Sequence, residues 1–187
     1  MKNILAFSGS ARIHSLNGLL LAKAAEMARE MGALVEIIDL RALNLPIYDG
    51  DYEEANGLPD GARTLKAAMR EADGFLIASP EYNSFPTPLL LNAIDWASRA
   101  ESRDEAPLTA FKGKGAGLIS ASPGPMGGLR SLSALRSKLM NIGVTVVPGM
   151  CAVGAATVDS LSDDHFADSN NGRRLESTLK ALIGLEV

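Results

Sequence analysis

Short apolar runs alternate along this chain with longer stretches in which apolar residues return every three or four positions, and that alternation predicts strand followed by helix from one end to the other. Ile4-Leu5-Ala6-Phe7 is the first run, and it ends at Ser8-Gly9-Ser10. From Ser15 the period lengthens: Leu16, Leu20, Ala24, Met27 and Met31 share one side of a helix, Lys23, Glu26 and Arg29 the other, and Gly32 stops it. Leu34–Leu40 reads as a second strand. The polar stretch Asn44–Asp60, punctuated by Pro and Gly, reads as a long loop. Gly61–Ala72 is helical, with Leu65, Ala68, Met69 and Ala72 on one face. Phe75-Leu76-Ile77-Ala78, apolar at every position, predicts a strand buried on both faces. A helix around Leu89–Arg99 follows. A fourth strand opens at Gly117-Leu118-Ile119, and a helix carrying Leu129, Leu132, Leu135 and Leu139 comes after it. Val144–Val147 is a fifth strand, and the tail holds a helix with Leu175, Leu179 and Leu182 on one face.

Strands alternating with helices imply an α/β fold, a doubly wound parallel sheet of about five strands with helices on both faces. No repeat, low-complexity tract or linker divides the 187 residues, so residues 1–187 are expected to form a single domain. The formal net charge is −4, from 18 basic and 22 acidic residues with no basic cluster, which gives no reason to expect nucleic acid. One cysteine, Cys151, rules out a disulfide within the chain, and a cytoplasmic protein is expected. Met1–Leu5 is too short in apolar length for a secretory signal. No apolar stretch approaches the roughly 20 residues that span a bilayer, so no membrane partner is expected.

In a doubly wound sheet ligands bind outside the carboxyl ends of the strands, where strand order reverses. The loops after strands one, three and four should therefore meet, and these are the most polar, turn-rich pieces of the chain: "SGSARIHSLN", "SPEYNS" and "SASPGPMGG". The first departs from the Gly-rich dinucleotide fingerprint and offers hydroxyls and amides instead. Backbone N–H groups at a helix N-terminus suit a phosphate monoester. The Ser10 and Ser15 hydroxyls and the Asn17 amide can add hydrogen bonds, and Arg12 adds a fixed positive fork. Ser15 can equally be a plain helix cap. In the second loop Pro80 and Pro86 stiffen the backbone, Asn83 can bond a heteroaromatic edge and Tyr82 can flank a ring; a simple turn with a buried tyrosine is the alternative. In the third, Gly124, Gly127 and Gly128 permit close approach of a bulky ring, or form an ordinary strand-to-helix turn.

Three pieces, Gly9–Asn17 ("GSARIHSLN"), Ser79–Trp96 ("SPEYNSFPTPLLLNAIDW") and Ser120–Gly128 ("SASPGPMGG"), closely resemble the NAD(P)H-dependent FMN reductase family, the flavodoxin-like group that includes quinone, azo and chromate reductases. The resemblance runs over roughly residues 1 to 150, a domain-sized stretch; beyond it the tail matches only in having a helix. It implies a non-covalently bound FMN. It places Ser10, Arg12, Ser15 and Asn17, with the Leu16 amide, on the phosphate. Pro80, Glu81, Tyr82 and Asn83 then lie at the isoalloxazine edge, and Ser122, Pro123 and Gly124 along its other side. It further implies hydride transfer from NADPH or NADH to the flavin. Electrons then pass to a quinone, azo, flavin or metal-oxyanion acceptor in a ping-pong cycle with no assigned catalytic residue. A homodimer or homotetramer is implied as well. Leu91 stands where many members have lysine, on a helix beyond the ring contacts. The Asn44–Asp60 loop, with Tyr48 and Tyr52, can cover the ring, meet another subunit or be plain surface.

Other motifs carry less. Gly113-Lys114 looks like a P-loop fragment, but Leu108 and Gly115 stand where a glycine and a Ser or Thr are required. Asp163-Asp164-His165 has no second ligand cluster and reads as a solvated turn, so no metal is expected. Cys151 reads as a small buried residue, and no nucleophile elbow is present. The alternative reading from another class is a flavodoxin-type electron carrier or an FMN-binding regulatory module without NAD(P)H turnover. Carriers commonly bear far more acidic charge for docking.

Overall fold

Two apolar faces on a single sheet organise the molecule, which is described over residues 1–186 of a computed structural model. The elements in chain order are β1 (Asn3–Ser8), α1 (Leu16–Glu30), β2 (Leu34–Ile38), α2 (Gly50–Asn56), α3 (Asp60–Glu71), β3 (Gly74–Ala78), β4 (Glu81–Tyr82), β5 (Phe85–Pro86), α4 (Pro88–Ala97), β6 (Lys114–Ala121), α5 (Leu129–Asn141), β7 (Val144–Val146), β8 (Cys151–Val153), α6 (Val158–Ser162), a 3-10 turn (Phe166–Asp168) and α7 (Asn170–Ile183). The main sheet has the parallel order β2-β1-β3-β6-β7, with β8 also on β6. β7 pairs with the start of β6 (Lys114–Ala116) and β8 with its end (Ile119–Ala121), so the two share the fifth strand position. The helices α1 and α7 cover one face and α3, α4 and α5 the other.

Alternation along the strands explains the unbroken apolar runs. Leu5 and Phe7 of β1, Phe75 and Ile77 of β3 and Leu118 of β6 pack with Leu65, Met69, Leu90, Ile94 and Leu135. Their neighbours Ile4, Ala6, Leu76, Ala78 and Ile119 point the other way, onto Leu20, Ala24, Ala28, Leu175 and Leu179. Residues of the central strand β3 are thus inside whichever way they face, while the edge strand β2 is largely exposed.

The structure corrects the sequence reading in three places. Asn44–Asp60 is not loop throughout, because it holds α2, an exposed turn-rich helix with no buried residue. Its start is fixed by Asp49, whose side chain accepts from Asp51 N (2.9 Å), so a cap rather than an apolar face forms it. Pro80–Pro86 is not a featureless loop but a hairpin, β4 against β5, with Tyr82 opposite Phe85. Asn83 and Ser84 both have positive φ (53° and 66°), the conformation of a two-residue type I′ turn. The fifth strand continues beyond Val147 as β8, after the Pro148-Gly149 break.

At the amino-terminal end of the sheet, α3 is pinned to the segment between α4 and β6. The ammonium of Lys66, 1% exposed, lies 2.7 Å from Glu105 Oε2, and Arg70 and Thr109 bond the same carboxylate. Burial alone would raise the Glu105 pKa. The bonds from the Glu101 N–H, Lys66, Thr109 and Arg70 outweigh it and hold the carboxyl far below its ordinary 4.5. A depressed folded-state pKa stabilises the fold fully above the unfolded value and loses that contribution as pH falls beneath it. Denaturant unfolding should therefore show a steep stability loss below about pH 4.5 in the wild type and a flatter profile in Glu105→Ala. At neutral pH that variant should be weaker by about 1–3 kcal/mol, because buried Lys66 loses its nearest carboxylate and keeps only the Arg99 carbonyl and the more distant Glu101.

Candidate functional site

At the carboxyl end of β1 the chain must turn within a few residues into α1, and local hydrogen bonds shape that turn. Ser10 N donates to Ser8 Oγ (3.2 Å), Arg12 N to Ser10 Oγ (3.3 Å) and Gly18 N to Ser15 Oγ (3.2 Å). Ser15 is the N-cap of α1 and is buried. The N–H groups of Leu16 and Asn17 are among those that a helix leaves without intrahelical acceptors. Arg12 is exposed and, among the described residues, forms no ion pair. Hydroxyls, helix N–H groups and an uncompensated guanidinium in one turn form a donor set, with the Asp39 carboxylate bordering the same cleft. That chemistry fits the dianionic phosphate of FMN.

Two of the expected site residues have side chains that also bond within the protein. The Asn17 side chain is buried and bridges to the third loop: Nδ2 donates to Ala121 O (2.9 Å) while Oδ1 accepts from Ala121 N (3.1 Å). One amide hydrogen remains for a ligand. The Glu81 side chain is directed at the start of α5. Its carboxylate accepts from Arg130 N (3.1 Å), Ser131 N (3.2 Å) and Arg130 Nε (3.1 Å), and so caps α5, whose own N-cap Gly128 has no side chain to do so.

That cap is part of a seam between the second and third loops. Ser131 Oγ donates to Pro80 O (2.9 Å) and lies 2.8 Å from Ser79 Oγ, with all three residues buried. Pro80 is therefore a fixed support rather than a mobile loop residue. Tyr82 is half-exposed, so the alternative of a buried tyrosine in a plain turn does not hold, and Asn83 sits at the hairpin tip. In the third loop Ser122 Oγ accepts from Gly124 N (3.1 Å), Pro123 is exposed, and the Gly124 carbonyl receives the Gly127 and Ala155 amides. Glycine is required at 127 and 128. Both have positive φ (60° and 87°), and a Cβ there would stand 2.6 Å from the Gly154 amide and 2.7 Å from Ser120 Oγ.

The first loop is stitched to its neighbours as well. Gly9 N donates to Ala78 O (2.9 Å), and Thr87 Oγ1 donates to Gly9 O (2.6 Å) while also capping α4. Arg41 Nη1 donates to Ala11 O (3.1 Å) from beyond β2. Sequence reasoning missed Thr87, Ser131 and Arg41. Thr87-Pro88 carried a usable signal, a capping hydroxyl followed by proline at the first helical position; Arg41 lay in the stretch read as strand-to-loop passage. The cradle opens into a cleft of ≈ 690 Å³ lined by the first loop, α1, Ile37, Asp39 and Arg41.

The remaining candidates lie elsewhere. Lys114 starts β6 at the opposite end of the sheet, its ammonium donating to Arg70 O (2.7 Å) and to Ala72 O, so the P-loop fragment is an anchor. Cys151 is fully buried, and burial pushes its thiol up to about 11, which makes it unreactive. The stretch after β2 is tied to α4. Asn92 accepts from Tyr48 N (2.8 Å), Asn92 and Trp96 both donate to Pro46 O, and Ile47 between them is 88% exposed.

The sequence matches the model of a protein family described as NADPH-dependent FMN reductase over residues 2–158. It is 35% identical over 147 residues to a quinone reductase of Escherichia coli K12, covering 77% of this chain and 72% of that one. An Oryza sativa relative carrying an NADPH:quinone oxidoreductase name is 36% identical over 135 residues, 71% of this chain and 62% of the relative's length. Among solved structures, a flavoenzyme NAD(P)H:(acceptor) oxidoreductase from Paracoccus denitrificans superposes with a TM-score of 0.81 at 24% identity, covering the whole of both chains. That likeness establishes the flavodoxin-like fold.

The seam between loops predicts its own perturbation. Glu81→Ala should lower stability by about 1–2 kcal/mol, the cost of a lost helix cap, and should loosen Ser131 from Pro80. Urea unfolding measures the first. Faster amide exchange confined to residues 128–132 reports the second.

Proposed function

The chain belongs to the NADPH-dependent FMN reductase family, and we propose that it binds FMN across the three loops, takes hydride from NADPH or NADH, and delivers electrons to a small-molecule acceptor of the quinone, azo, flavin or metal-oxyanion type. The observation that carries this reading is the uncompensated cation in a hydroxyl-lined turn at the carboxyl end of β1, between loops already locked to one another. Bound FMN supplies the hydride and electron-transfer chemistry, in a ping-pong cycle.

The chain's own residues bind and orient. Arg12 neutralises the phosphate, while Ser10, Ser15 and the Leu16 and Asn17 amides direct hydrogen bonds to its oxygens. Pro80, fixed through Ser131, and the Tyr82–Asn83 hairpin support one edge of the ring. Ser122, Pro123 and Gly124 support the other. Residues 79–86 and 120–128 contain only two titratable side chains, Glu81 and Tyr82, and Glu81 is committed to α5. Hydride transfer needs no protein acid, and these two loops hold scarcely any.

A second copy of the chain completes the proposal. Ile47, Tyr82, Phe85, Met126 and Leu129 are exposed on segments around the loop end, which supports a homodimer or a larger homo-oligomer. No described helix is long and apolar enough to cross a membrane, and the lone thiol suits a reducing cytoplasm.

The purified protein should be yellow and should oxidise NADPH in the presence of a quinone. Tight FMN binding without NADPH oxidation would instead make it an electron carrier. Arg12→Ala should weaken FMN by about 1.5–3 kcal/mol, roughly ten- to hundredfold in Kd, and Arg12→Lys should recover only part because the fork is lost. Flavin fluorescence titration of the apoprotein measures both; unchanged affinity in Arg12→Ala would remove the assigned role.

A further inference from the structure

We propose that the cleft beside the phosphate cradle receives the adenosine half of a flavin dinucleotide, so that this protein takes FAD as well as FMN. The inference rests on the placement of the flavin phosphate in the first loop.

Size is the first ground. The cleft measures ≈ 690 Å³, within the roughly 300–1,000 Å³ of cavities that hold a drug-sized molecule and far beyond the needs of one phosphate. Direction is the second. The strand order β2-β1-β3-β6 puts the ring-bearing loops, after β3 and β6, on one side of the first loop. None of their residues lines the cleft, whose far wall is the end of β2 together with Val158. A phosphate held between Ser10, Arg12 and Ser15 therefore has the ring on one side and this open volume on the other. A substituent leaving the phosphate away from the ring enters it directly.

Lining chemistry is the third ground. Ile13, Ile37 and Val158 are 82%, 47% and 52% exposed, and all three border this one cleft. Apolar side chains facing water across a groove suit the faces of a flat base. Beside them Arg41 supplies a second fixed cation in addition to Arg12. Arg41 commits one guanidinium N–H to Ala11 O and keeps the others, and His14 lines the same cleft. A second phosphate has its donors there. Asp39 follows β2 immediately, and one of its oxygens accepts from Arg41 N (2.9 Å), leaving the other free. In dinucleotide-binding α/β folds an acidic group at the end of the second strand accepts from ribose hydroxyls, and Asp39 occupies the corresponding place in this sheet.

The experiment is a comparison of flavins on the apoprotein, followed by fluorescence quenching. FMN and FAD are expected to bind within about tenfold of each other, with riboflavin far weaker for want of a phosphate. Ile37→Glu places charge against the base and should weaken FAD by about tenfold or more while changing FMN less than about twofold. Val158→Glu, on a different element, should do the same and guards against a local folding defect in the first variant. FAD binding no better than riboflavin while FMN binds tightly overturns the inference and leaves the FMN reading standing. Equal weakening of both flavins by the two variants also overturns it. So does a rise in KM for NADPH with FAD affinity intact, which would give the cleft to the nicotinamide nucleotide. Binding of neither FMN nor FAD would sink the FMN reading itself.

Discussion

Burying both faces of one parallel sheet is the constraint from which the rest follows. Once Leu5 and Phe7 serve one core and Ile4 and Ala6 the other, the middle of the central strands has no position for a polar group that must meet a ligand. Chemistry is displaced to the carboxyl ends, where backbone hydrogen-bonding groups are also left over from the sheet and from the starting helices. The hydroxyl-lined first loop, the hairpin and the glycine turn all lie there for that reason.

Displaced loops would be mobile unless tied to something, and here they are tied to each other. Asn17 reaches from the first to the third, Glu81 and Ser131 join the second to the third, and Thr87 with Ala78 holds the first to the second. Each tie is a side chain or amide answering a backbone group that the sheet or a helix end left without a partner. Several side chains in family-like motifs thus bond other loops of the protein. A fixed set of loops results from satisfying the fold's own hydrogen bonds.

The architecture was legible because apolar periodicity carried it. Phe75–Ala78 is apolar throughout and proved to be buried on both faces, and the helices over Leu16–Met31 and Leu129–Leu139 declared their buried sides through spacing. What escaped was held by other means. The helix Gly50–Asn56 buries nothing and leans on a cap, and the hairpin depends on Asn83 and Ser84 adopting positive φ, for which their sequence is a weak signal without glycine. The cluster of candidate site residues was readable from loop position and residue type. The aim of individual side chains was not, because Glu81 and Asn17 are directed by partners 50 and 104 residues away in the chain.

The scarcity of ionisable groups around the ring loops bears on substrate range. A catalytic surface that contributes no proton of its own cannot discriminate by protonation chemistry. Selection falls instead to reduction potential and to whether a molecule can lie flat against the cofactor. On the proposed reading, such a surface is open to acceptors that share only a flat shape and a suitable potential.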